Sequence, residues 1–110
     1  MAERPRNYTE FWPLYLAEHS RPLTRALHYL GTGLGLAIAS AAVASRSELW
    51  LLAALTVGYG FAWIGHFFVE KNRPTTFTYP VWSFISDIRM FGLFAAGRMG
   101  RELKKNGIDT

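Results

Sequence analysis

The chain has 110 residues, 18% of them charged and 50% hydrophobic, which fits one compact unit and excludes a disordered chain. It contains no Cys, so disulfide scaffolds, zinc ribbons, iron-sulfur clusters and thiol nucleophiles are excluded, and any metal must be held by His or carboxylate. Twelve basic against eight acidic residues give a net charge of +4, a balance that suits nucleic acid or an anionic membrane face until the charges are placed.

In chain order, Asn7 with Glu10 three residues later reads as a capping box, and it predicts a helix over residues 8–20 carrying Phe11, Trp12 and Tyr15, kinked at Pro13. Arg21-Pro22 ends that helix and opens the next, because the residue before proline resists the helical region while proline fits a first turn. The second helix is predicted over 22–45 and the third over 48–70. Within them, 20 residues from Ala26 to Ser45 and 21 from Leu49 to Val69 carry no formal charge. At ~1.5 Å per residue each crosses a hydrocarbon core of ~30 Å. Only Arg46, Ser47 and Glu48 separate the two spans, so they must be antiparallel neighbours. Gly31, Gly33, Gly35, Gly58 and Ala62 supply small residues at the spacing that lets helices approach closely in lipid. After a break at Arg73-Pro74, Thr78 is the expected cap of a last helix over 79–106, ended by Gly107. Its Asp87 and Arg89 are costly at a bilayer centre, so this helix is expected to lie in the interface or to pack on the hairpin.

The fold class expected is therefore all-α: a single domain over 1–110, with an antiparallel transmembrane hairpin between an N-terminal and a C-terminal flanking helix. Of the twelve Lys and Arg, only Arg46 lies at the hairpin tip. The positive-inside bias then puts both termini in the cytoplasm. Lys and Arg that flank apolar spans, with no nucleic-acid-binding fingerprint, argue against a DNA or RNA partner and for membrane lipid. The N-terminus lacks the pattern of a cleaved signal peptide, so the spans themselves are expected to drive insertion. Whether the chain forms a homo-oligomer stays open.

The three histidines converge on one end of this hairpin. Folding the chain about Arg46 and Ser47 sets His28 and His66 at nearly equal depth, and His19, just before the Pro22 break, reaches the same membrane face. Glu70 follows His66 at i and i+4, the spacing with which one helix face presents paired metal ligands; an ion pair with Arg25 or Arg73 is the competing role. Imidazoles with at most one carboxylate suit iron(II), and zinc nearly as well. Arg21, Arg25 and Arg73 lie at the same end, where they can take a carboxylate or anchor to lipid phosphate. Tyr15 and Asp87 are candidates to orient the metal histidines from behind.

Tyr15-x3-His19-x2-Pro22-x5-His28, followed by Gly65-His66-x3-Glu70-Lys71-Asn72-Arg73-Pro74, resembles a family of small membrane proteins that includes the fungal 2-hydroxy-fatty-acid dioxygenase. The resemblance covers about Phe11 to Phe91. It implies an Fe(II)-dependent enzyme with no organic cofactor, using O2 to shorten a 2-hydroxy fatty acid by one carbon in α-oxidation, with His19, His28 and His66 as the required residues. Thr24 and Ala62 stand where the family often has Asn and Gln. The chain looks like the family's short bacterial branch, which implies an inner-membrane protein. Two readings of other classes remain: a haem-binding or electron-transfer protein with His28 and His66 as axial ligands, and a non-catalytic membrane scaffold.

Overall fold

The computed structural model describes residues 4–108 and is helical throughout. Helix α1 (Tyr8–Ala17) is followed by α2 (Pro22–Ser45), then α3 (Glu48–Ile64), which continues as a π-helical segment over Gly65–Glu70. A 3-10 turn at Thr75–Phe77 leads into α4 (Pro80–Ala95) and α5 (Met99–Lys105). The N-cap at α1 is made as expected, with the Asn7 side chain accepting from the Glu10 amide at 3.0 Å. Glu10 closes the box one residue early: it accepts from the Arg6 amide and guanidinium instead of the Asn7 amide.

Helices α2 and α3 are each long and apolar enough to cross a membrane, α3 together with its π segment. They pack against each other as an antiparallel hairpin. Arg46 turns the corner in the left-handed region at φ 56°, and Ser47 caps α3 by accepting from the Trp50 amide. Glycine sets how closely the helices approach. A Cβ on Gly31 would stand 2.8 Å from Phe61 Cβ and 2.9 Å from the Gly58 carbonyl oxygen, so no larger residue fits there without parting the helices. Toward the tip the outer faces are bare: Val43 and Leu49 are more than three-quarters exposed, and Trp50, Leu52 and Leu55 are also open. An apolar surface of this extent fits hydrocarbon better than water.

The opposite end of the hairpin is closed by a second core of a different kind. Phe11, Trp12, Tyr15 and Leu16 of α1 are buried with Met90 of α4 and Met99 and Leu103 of α5. Trp12 Nε1 donates to Glu102 at 2.8 Å, the Tyr8 and Ser86 hydroxyls are hydrogen-bonded at 2.9 Å, and the Arg89 guanidinium lies 4.0 Å from the centre of the Trp12 ring. Helix α4 packs on α2 and α1, against the hairpin. Its sides are inverted relative to a water-soluble helix. Ser83 and Ser86 face inward, paired with Thr75 and Tyr8, while Val81, Phe84, Ile85 and Ile88 face outward.

The single helix expected over 79–106 is in fact two, because Gly97 takes φ 72° and lets the chain turn between α4 and α5. Thr78 ends the 3-10 turn; Tyr79 is the N-cap of α4, with no side-chain bond. Gly107, at φ 76°, follows the end of α5 as anticipated.

Candidate metal centre

Each histidine comes from a different kind of backbone. His19 sits just past the end of α1, His28 lies in the second turn of α2, and His66 belongs to the π segment that extends α3. Widening the last turn of a long helix into a π segment re-aims its side chains, and such segments are frequent at functional sites. All three side chains are buried, with 0%, 3% and 2% of their surface exposed. Their rings stand nearly perpendicular to one another, with centroids 4.3 to 4.9 Å apart. Each ring can offer one nitrogen to a group of three lying within 4.8 Å of one another.

The hydrogen bonds behind the rings decide what those nitrogens carry. His19 Nδ1 lies 2.6 Å from the Tyr15 carbonyl oxygen and His28 Nδ1 lies 2.8 Å from that of Thr24. A carbonyl only accepts, so both Nδ1 atoms hold the proton. His66 Nδ1 lies 2.7 Å from Asn72 Oδ1. The Asn72 amide is oriented by its own Nδ2, which donates to the Glu18 carbonyl at 3.0 Å, so Oδ1 is the acceptor here too. All three neutral rings therefore turn a bare Nε2 lone pair toward the others. His19 Nε2 and His28 Nε2 are 3.0 Å apart, with no proton to lie between them. Two facing lone pairs repel unless a cation is shared. Two donors each about 2.1 Å from one ion stand about 3.0 to 3.4 Å apart at the angles usual for six- and four-coordinate ions, so the His19 and His28 nitrogens are at ligand spacing. The donor set fits a divalent transition metal and presents the tautomer such an ion requires. Burial first, then the neighbouring His28 and His66, hold the His19 imidazole well below the usual histidine range, which keeps the ring neutral.

Tyr15 and Asp87 stand behind this group. The Tyr15 ring stacks on His19 at 4.1 Å between centroids, and its hydroxyl donates to Asp87 Oδ1 at 2.5 Å. Burial and the adjacent Asp87 raise the Tyr15 phenol well above its ordinary range. Burial also raises the Asp87 carboxyl, to about 7, although the tyrosine bond acts to lower it.

The structure engages Glu70 and Arg25 with groups of the chain itself. Glu70 accepts from the Ser20 hydroxyl at 2.7 Å and from the Arg21 amide at 2.9 Å, tying the end of the π segment to the start of α2, and it is not among the three clustered ligands. Neither Arg25 nor Arg73 pairs with it; among the described residues the ion pair is Arg6 with Glu10. Arg25 is buried, and its Nη1 donates to the carbonyls of His19 and Ser20 at 2.8 and 2.9 Å, which clamps the α1–α2 turn. Arg21 is exposed, and Arg73 is exposed beside the Phe77 ring, 5.3 Å from its centre. Asn72 is the residue that spacing failed to single out. Six residues from His66 is the far side of an α-helix; the π segment and the left-handed Lys71, at φ 61°, bring it back.

A family described as 2-hydroxy-palmitic acid dioxygenase Mpo1-like matches residues 5–99. A match over so much of the chain, carrying all three histidines, makes the protein a member of that family. No curated protein and no solved structure matches it.

Proposed function

We propose that the protein is an Fe(II)-dependent dioxygenase that converts a 2-hydroxy fatty acid to the acid one carbon shorter. The observation that carries this reading is the convergence of three buried imidazoles whose Nδ1 protons are all committed to acceptors behind them, leaving three Nε2 lone pairs for one ion. The family description supplies the substrate class. His19, His28 and His66 hold the metal, which when bound supplies the redox chemistry with dioxygen that side chains lack. The reaction balances without an organic cofactor: the 2-hydroxy acid and O2 give the shortened acid, carbon dioxide and water, with the C1–C2 bond broken.

The remaining residues bind and orient. Arg21 and Arg73, exposed at the histidine end of the hairpin, are assigned the substrate carboxylate, for which a guanidinium fork is better shaped than an ammonium. Arg25 and Glu70 are assigned to fixing the α1–α2 turn on which His19 sits. Tyr15 and Asp87 fix the His19 ring from behind. The bare apolar flanks of α2 and α3 are assigned to lipid, with both termini on the cytoplasmic side of the inner membrane. A porphyrin between His28 and His66 needs those rings on opposite faces of a plane, and His19, within 4.5 Å of both ring centres, occupies that space.

The test is to purify the protein anaerobically in detergent, load it with iron(II), and add 2-hydroxyhexadecanoate and oxygen. A fifteen-carbon acid should form that is lost under argon or with chelator present. Iron-loaded protein that leaves 2-hydroxy acids of every length intact would refute the substrate class.

A further inference from the structure

A cavity of about 170 Å³ lies between α2, α3 and α4. Gly31 and Ala62 line one end of it, three residues after His28 and four before His66, so that end begins one helical turn from the histidines. Ala39 and Leu51 line the other end, nearer the hairpin tip. From Gly31 to Ala39 the helix advances about 12 Å, room for an extended chain of roughly ten methylenes. The acid in the lining is Asp87, and its bond to Tyr15, stacked on His19, places it toward the histidine end. The walls are otherwise almost wholly apolar and are narrowed by α4 on one side, a shape that fits one unbranched chain.

We propose that this groove holds the acyl chain of the substrate along the hairpin, carboxyl end at the histidines and methyl end toward the tip, and that Ala39 and Leu51 set the longest chain accepted. The proposal rests on the fatty-acid reading above and adds to it the place and direction of the chain. The groove ends one helical turn short of the histidines and is partly open at its side, so a lipid-dissolved acid can enter sideways without crossing water and extend its carboxyl end the last turn to them. A bilayer phospholipid offers the same acyl chemistry, and the test must separate the two.

The protein is reconstituted in phospholipid nanodiscs with 2-hydroxyhexadecanoate bearing a diazirine near its methyl end, irradiated, and mapped by peptide. Label is expected on the helix segments around Ala39 and Leu51, to fall at least tenfold with excess unlabelled 2-hydroxyhexadecanoate, and to be lost in Ala39→Trp and Leu51→Trp. Leu51 is about half-exposed, so its replacement fills the groove without adding bulk to the hairpin core. In turnover, the ratio of kcat/KM for the sixteen-carbon over the ten-carbon 2-hydroxy acid should drop at least tenfold in both variants. Label that the competitor does not displace identifies a bilayer lipid as the occupant and overturns the proposal, as does competed label confined to other segments. Competed label near the tip without turnover of any acid would sink the dioxygenase reading alone; turnover with an unchanged chain-length ratio would sink the groove alone.

Discussion

His66 differs from the other two histidines in what holds it. His19 and His28 are anchored to main-chain carbonyls, which no substitution removes, whereas His66 depends on the side chain of Asn72. Replacing an outer partner of a metal-bound histidine commonly costs 10- to 100-fold in metal affinity or activity. Asn72→Leu should therefore weaken iron binding by roughly that factor while the chain still folds, and each of His19→Ala, His28→Ala and His66→Ala should leave less than one iron per chain by elemental analysis. Full iron retention in His19→Ala would remove it from the ligand set. Asp87 gives a second handle. Its carboxyl is raised from 3.8 to about 7 by burial, so it favours the folded state below pH 4, and that contribution is lost as pH rises through 7. Asp87→Asn abolishes this titration and leaves the histidines in place. The difference in Tm between the variant and the parent should therefore shift in the variant's favour, by a few degrees, from pH 5 to pH 8. A difference that stays constant with pH would show that the carboxyl titrates normally.

Among the elements, the hairpin was the most legible. Two charge-free runs of 20 and 21 residues with three residues between them leave little choice of topology, and the antiparallel register alone brought His28 and His66 to one level. What the sequence concealed was local. Helical periodicity assumes a constant 3.6 residues per turn, so it could not see the π segment at Gly65–Glu70 or the return of Asn72 behind His66. It also read 79–106 as one helix, since a glycine is tolerated inside a helix as well as after one, and only the positive φ at Gly97 shows which applies. Glu70 was at the right spacing for a ligand, yet its carboxylate meets Ser20 and the Arg21 amide, contacts nearly fifty residues away in sequence that no local pattern contains. The glycines separate two effects cleanly. Gly31→Leu must displace Phe61 or the Gly58 backbone and should destabilise by about 1–3 kcal/mol or more. Gly60→Ala meets nothing within 4 Å and should be neutral or stabilising by up to ~1 kcal/mol through helix propensity. Equal thermal shifts in the two would show that close approach at Gly31 is not what holds the hairpin.

For the whole molecule, two cores of different character share one chain. The glycine-lined hairpin has exposed leucines on its flanks, while the aromatic cluster of α1, α4 and α5 is closed by hydrogen bonds between side chains. That polarity matches the distribution of basic residues, with Arg46 the one Lys or Arg at the tip. Single cysteines at Ser47 and Lys104, introduced into a chain that has none, should react with a membrane-impermeant maleimide from opposite sides in intact cells and inverted vesicles. Reaction of both from the same side would refute the topology.

In a protein without cysteine, the histidine triad has a further consequence as a cross-link. An ion shared by His19, His28 and His66 would close loops of nine and thirty-eight residues, much as a pair of disulfides does, and would join α1 to both helices of the hairpin at a point where Arg25 and Glu70 also hold the α1–α2 turn. Because the three donors are brought together only by folding, the free energy of binding the ion adds to the stability of the folded chain. Metal supply would then act as a checkpoint on maturation: chains inserted into iron-starved membranes should keep the hairpin, release α1 more readily, and be cut by protease near Ser20 and Arg21, whereas metal-filled chains should resist.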